Sequence, residues 1–154
     1  MMVCYQCYGR SHTSIVAAHL HLGHLPRDGS IPTVKQFMDL PYFDQGRNHD
    51  FGQPLHMGYD EDGHEICALG FGADQREGLG VIYSLYRLIG RREPLIVGTL
   101  SGLGILARGG GFLSRQAGLV SLGRPIVAFG IRQIYPKLVL TVDSVRRFLK
   151  EVAE

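Results

Sequence analysis

The chain is short of most features that would place it quickly in a class. It has no run of about 18 apolar residues, so no membrane-spanning helix is expected. The opening stretch, MMVCYQCYGR, has no basic segment followed by an apolar one, so no secretory signal is expected either. Cysteine is scarce. An odd count of three does not make a disulfide framework, and a reducing, cytoplasmic location is expected. Net charge is only +2, too mild for a nucleic-acid footprint. The Walker pattern G-x-x-x-x-G-K-[ST] is missing for want of its lysine, which removes the usual signal for ATP or GTP hydrolysis. G-x-G-x-x-G is also missing, so the runs Gly102-Leu-Gly104 and Gly109-Gly110-Gly111 are no dinucleotide fingerprint. Internal repeats and low-complexity segments are absent.

What is present is 154 residues, 45% hydrophobic and 19% charged, the profile of one globular domain. Val3 to Tyr8, Pro94 to Gly98 (PLIVG) and Pro125 to Phe129 (PIVAF) are short apolar runs bounded by turn signals, the pattern of buried strands, with PLIVG central and parallel. Leu55 to Tyr59 and Glu65 to Leu69 flank Asp60-Glu61-Asp62-Gly63-His64 and predict a hairpin. Its acidic turn lacks the downstream ligand series of a calcium loop. Helices are predicted over Ser14 to His24, Val34 to Leu40 (capped by Thr33 with Gln36), Asp74 to Gly90, Phe112 to Ala117, and from Pro136 onward. In the last helix Leu138, Val142, Val145, Leu149 and Val152 form the buried stripe, with Lys137, Arg146, Arg147 and Lys150 facing water. The expectation is a single three-layer α/β domain. Its sheet would be mostly parallel, of about five strands, with an antiparallel edge hairpin. Ligands in such sheets sit beyond the carboxyl ends of the strands, where Gly9 to Ser14, Thr99 to Gly104 and Gly130 to Gln133 would converge.

The first strand, turn and helix carry the strongest functional signal. A strand ends near Cys7 and Tyr8, turns at Gly9, and leads through Arg10, Ser11, His12, Thr13 and Ser14 into an apolar helix. That arrangement is phosphate-loop-like. It gathers unpaired amides at a positive helix end, and the hydroxyls of Ser11, Thr13 and Ser14 add donors. Arg10 adds a planar cation, and Arg132, following PIVAF, would lie near the same crevice. A well-capped helix start without ligand is the plainer alternative. Cys7, at the positive end of the helix, is the candidate nucleophile, and His12 the candidate acid or base. An inert buried cysteine and a packing histidine are the bland readings.

Cys4 to Ser11 also spells C-x5-R-S, which resembles the signature loop of low-molecular-weight tyrosine phosphatases, where a thiolate attacks phosphorus. Register argues against it, because too few residues precede Cys4 to leave a strand beneath the loop. Cys4 and Cys7 form C-x2-C without a second pair and would point to opposite faces of a strand. His19, His21 and His24 suggest a metal cluster. However, His19 lies on the buried helical face, and only His21 and His24 share an outer one, so no metal site is assigned. Arg108, Arg115, Arg124 and Arg132 recur through the glycine-rich second half, where a solvated basic face is the ordinary explanation.

The segments CYGRSHTS, the helix through HLG, IPTVKQFMDLPYFD, HMGYDEDGHE and GGFLSRQAGLVSLGRPIVAFG span nearly the whole chain. Together they resemble an uncharacterised domain-of-unknown-function family of about 150 residues, single-domain in length, from spore-forming Gram-positive bacteria. The resemblance implies no activity. Members usually read C-Y-G-G-x-H-S-S at the loop. Cys7, Gly9, His12 and Ser14 match that pattern, while Arg10 stands for a glycine and Thr13 for a serine. The expected function is a cytoplasmic protein binding phosphate or a small phosphorylated ligand, with phosphotransferase or phosphohydrolase chemistry assisted by Cys7 or His12. The alternative is a non-catalytic sensor or adaptor that uses the same pocket, or a partner surface near Phe112 to Leu122. No cofactor is named, no membrane or nucleic-acid partner is expected, and a homo-oligomer stays open.

Overall fold

A computed structural model describes residues 1–99 and 120–153. In chain order the elements are β1 (Met2–Cys7), α1 (Thr13–His21), α2 (Val34–Met38), a short 3-10 turn (Asn48–Asp50), β2 (Leu55–Tyr59), β3 (Glu65–Gly70), α3 (Gln75–Leu88), β4 (Leu95–Gly98) and α4 (Val120–Ala153). The described strands form one four-stranded sheet in the order β2-β3-β1-β4. β1 pairs in parallel with β3 (Cys4 opposite Cys67) and with β4 (Cys4 opposite Ile96), and β2 runs antiparallel to β3 as the edge of the hairpin. The α/β class, the mostly parallel sheet and the edge hairpin follow the sequence pattern.

Period-2 alternation on β1 divides the core. Val3 and Tyr5 face a large cluster with Val16, Ala17 and Leu20 of α1, Phe37 of α2 and the apolar stripe of α4. Cys4 faces a smaller one with Cys67, Leu69, Phe71 and Ile82, where Leu79 and Tyr86 of α3 also pack. The sheet is therefore sandwiched, with α1, α2 and α4 on one side and α3 on the other. Thr33 and Gln36 close a capping box at α2, as its sequence predicts. Asp74 stands at the start of α3 without a side-chain cap bond.

Four sequence expectations fail on the topology. PIVAF is not a strand; Pro125 to Phe129 lie within α4, and so does Gly130 to Gln133, expected as a crevice loop. Val127, Ala128, Ile131, Ile134, Tyr135, Leu138, Val142, Val145 and Leu149 are all buried at helical spacing, while Ile126 and Phe129 are exposed. A short apolar run fits a strand and a buried helical turn equally, and only this longer period separates them. Pro136 does not open the last helix but sits inside it on the exposed side, where water can satisfy the carbonyl that its ring leaves unpaired. β4 pairs only with β1 among the described residues and so lies at an edge of the sheet instead of its centre. The predicted helix over Phe112 to Ala117 lies outside the described residues.

Histidine 21 joins the layers. His21 and His24 were expected on a shared outer surface, yet His21 is 1% exposed. The Tyr5 hydroxyl meets His21 Nδ1 at 2.7 Å, and His21 Nε2 meets Asp60 Oδ2 in the hairpin turn at 3.1 Å. A carboxylate only accepts, so Nε2–H donates to Asp60 and Nδ1 accepts from Tyr5, which is a neutral imidazole. Arg146, expected to face water, instead reaches from α4 to donate to the His21 carbonyl at 2.9 Å and pairs with Glu61. His24 turns to His19, with Nδ1 atoms 3.0 Å apart.

Burial pushes the His21 imidazole below its ordinary value of 6.5, despite the Asp60 hydrogen bond. A depressed folded value means the unfolded chain takes up more protons as pH falls below about 6.5, so acid removes stability there. Chemical-denaturant titrations from pH 8 to 5 should show stability falling in the wild type and a flatter profile in His21→Gln. Tyr5→Phe should cost about 1 kcal/mol, one hydrogen bond, at neutral pH.

Candidate functional site

Every residue of α1 from Thr13 to His21 is buried. A helix apolar on all sides lies inside the domain, so its first amides face protein instead of bulk water. The structure supplies an acceptor. Cys7 ends β1 with 3% exposure, and its Sγ lies 3.1 Å from Ser14 Oγ. Burial alone would push the thiol up. The Ser14 hydroxyl and the backbone N–H groups of Ser14, His12 and Ser11 together outweigh burial and hold it below the ordinary thiol value. The amides collected at the helix mouth thus converge on the sulfur of Cys7.

Most of the other predicted ligand residues are engaged by protein. Ser11 is fully buried; its Oγ donates to the Gly9 carbonyl at 3.0 Å and accepts from Gly46 N at 2.9 Å. The Thr99 hydroxyl gives its one proton to the Gln6 carbonyl at 2.8 Å, and the Thr13 hydroxyl, 2.9 Å from Thr99 Oγ1, donates to that oxygen. Arg10 pairs with Asp50 at 2.8 Å and donates to the Gln53 carbonyl at 2.9 Å, leaving its buried Nε without a hydrogen bond. Arg132 is on the exposed side of α4, and the strand that would have aimed it at the crevice does not exist. Of the expected convergent loops, Thr99 does reach α1; Leu100 to Gly104, the glycine runs, Arg108 and Arg115 lie outside the described residues. Cys4 is mid-strand and points to the α3 side, so C-x5-R-S forms no loop around it.

His12 is held by a residue that sequence reasoning missed. Its Nε2 meets Asp44 Oδ1 at 2.8 Å, and the ring packs edge-on against Phe43. The Asp44 side chain is 1% exposed, and its other oxygen lies 3.7 Å from Arg124 Nε. Arg124 donates to the carbonyls of Met38 and Phe43, tying α4 to the same loop. An ionised Asp44 fixes the imidazole with Nε2–H toward it, the orientation an acid/base histidine needs. Asp44, Gly46 and Asp50 fall in the segment Pro41 to Gln53 and Gly70 ends β3; none has a periodicity that could have singled it out. The nearest signal was that segment's polar, glycine-broken composition.

Two glycines set the fit of the loop. A Cβ on Gly70 would lie 2.5 Å from Arg10 N and 2.9 Å from the Gly9 carbonyl carbon, and one on Gly46 would lie 2.5 Å from the Gly9 carbonyl oxygen. These neighbours are backbone and cannot rotate away, and the Cβ on Gly46 would also meet the buried Ser11 hydroxyl. Gly70→Ala and Gly46→Ala should each lower stability by about 1–3 kcal/mol and raise the Cys7 thiol toward its ordinary value. Thermal melts and a pH titration of thiolate absorbance read the two effects.

No curated protein matches the chain, and no solved structure does. A family model does match, described as a protein of unknown function (DUF3189) and covering residues 2–147. The chain belongs to that family.

Proposed function

We propose that the β1–α1 loop binds a phosphoryl group and that Cys7 is the nucleophile of a phosphotransferase or phosphohydrolase acting on a small phosphorylated ligand. The observation that carries this reading is Cys7 at the end of β1 with its Sγ 3.1 Å from Ser14 Oγ at the start of α1, where the Ser14 hydroxyl and the Ser14, His12 and Ser11 amides favour the thiolate. A thiolate at neutral pH is the reactive form, and the positive helix end that stabilises it also favours phosphate oxygens. In the first step Cys7 Sγ attacks phosphorus, a P–S bond forms, and the P–O bond to the leaving group breaks. The leaving oxygen takes a proton from His12, oriented by Asp44. In the second step water, or an acceptor hydroxyl, gives its proton to His12 and attacks phosphorus, and the P–S bond breaks to restore the thiolate. Ser14 stabilises the thiolate as it leaves. A cytoplasmic location suits a free thiol in this role. The alternative is a non-catalytic sensor or adaptor that uses the same pocket for binding alone, or a partner surface near Phe112 to Leu122, whose side chains are outside those described.

The sign of the pH dependence is fixed by the lowered thiol. Thiolate persists as pH falls below 9.0, the ordinary value. Titrating thiolate absorbance, with Cys7→Ser as the difference control, should give a midpoint below that value, moving up in Ser14→Ala. Inorganic phosphate should raise the melting temperature of the wild type. Turnover of a small phosphate ester should vanish in Cys7→Ser and fall by about 10²- to 10⁴-fold in His12→Ala. An ordinary Cys7 midpoint, or a melting temperature that no phosphate compound moves, overturns the proposal.

A further inference from the structure

On the sheet face opposite Cys7, we propose a zinc site built from His56, Glu65 and Cys67, with Cys4 beside it. Cys67 and Cys4 are register partners on β3 and β1, and His56 on β2 is the register partner of Cys67. Glu65, two residues before Cys67 on the same strand, shares its face. Three adjacent strands therefore bring an imidazole, a carboxylate and two thiols to one side of the sheet, although the four are scattered through the sequence.

The distances suit the metal. Zn²⁺ with Zn–N and Zn–O near 2.0–2.1 Å and Zn–S near 2.3 Å, held tetrahedrally, requires ligand atoms about 3.3–3.6 Å apart. Glu65 Oε1 lies 3.1 Å from His56 Nδ1 and 3.9 Å from Cys67 Sγ. The potential ligand atoms of His56, Glu65 and Cys67 all fall within 4.8 Å of one another. Side-chain movement of a few tenths of an ångström closes the tetrahedral edges. Cys4, the register partner of Cys67 and packed with it on the same face, is the sulfur beside the open fourth position. Soft sulfur with imidazole selects zinc over magnesium or calcium, which prefer all-oxygen shells.

Access is built in. The two cysteines are each 1% exposed, whereas the His56 and Glu65 side chains are 49% and 37% exposed, so the cluster opens to solvent at the hairpin. On binding, the thiol protons leave to solvent and the metal takes the sulfur lone pairs. The Cys7 loop lies across the sheet, so this site does not depend on the phosphoryl-transfer reading.

The test uses the full chain with thiols reduced, titrated with Co²⁺ and then Zn²⁺. The wild type should develop tetrahedral visible bands and a thiolate-to-cobalt charge-transfer band, saturating at one equivalent and displaced by Zn²⁺. His56→Ala and Glu65→Gln change exposed side chains and leave the core intact. Each should weaken Co²⁺ binding by about 100-fold or more, since losing even an outer-shell partner costs about 10- to 100-fold. Cys7→Ser should bind like the wild type. An octahedral spectrum or none in the wild type, unchanged affinity in either hairpin variant, or loss of binding in Cys7→Ser overturns the proposal.

Discussion

The structure depends on the burial of one end of one helix. From Thr13 to His21 the first helix offers no residue to solvent, because the sheet covers one side and the long C-terminal helix lies against another. Such a helix gains burial all round but places its orphan N-terminal amides against protein atoms. An unmet buried N–H costs about 1–3 kcal/mol, so an acceptor is required. β1 ends where its last side chain can serve, and that residue is a cysteine, the one apolar-sized side chain whose charged form such a positive end can stabilise. Packing the centre of the domain and giving the helix amides an acceptor are then the same requirement.

Other buried polar groups are settled by the same logic, and they cluster at the same end. Asp44 is nearly inaccessible and is met by His12 and approached by Arg124. Ser11 is closed by Gly46, and Thr13 by Thr99. Each partner comes from a different part of the chain: the segment after α2, the end of β4, the start of α4. The carboxyl end of the sheet is thus a junction of connections, while the opposite end is held by the hydrogen-bonded series from Tyr5 through His21 to Asp60. A hydrogen-bonded polar network fixes relative positions more sharply than apolar packing alone.

Local signals in the sequence were sufficient wherever an element is specified locally. The hairpin was legible because Asp60 and Gly63 write its turn, and Asp60 Oδ1 accepts from the Asp62 and His64 amides as that turn demands. The turn from β1 into α1 was legible because a strand, a glycine and hydroxyls in series describe a helix mouth. PIVAF was misleading because five apolar residues carry no period, and its two flanking prolines imitate strand and helix boundaries. His21 and Arg146 were misjudged because helical spacing gives a face but not what covers it. Here the hairpin turn covers His21, and no pattern within α1 announces a hairpin some forty residues later. Asp44, and the face shared by His56, Glu65, Cys67 and Cys4, arise from strand order and loop closure, which sequence spacing alone does not contain.

Arg10 shows what the loop demands of its backbone. Its φ is 54°, in the left-handed region where a side chain costs energy and glycine does not. The family pattern that this loop resembles has glycine at that position, which is what the backbone conformation favours. In this chain the arginine is retained by Asp50 and the Gln53 carbonyl, partners beyond the 3-10 turn. The conformation is therefore imposed by the loop and not chosen by the side chain. The curvature that turns the Ser11, His12 and Ser14 amides toward sulfur requires a left-handed residue at position 10, whichever residue stands there. Arg10 then adds a second function, pinning the Asn48–Asp50 turn and Gln53 to the loop. An arginine so engaged braces the site instead of serving as its open anion clamp, and the positive character at Cys7 comes from backbone.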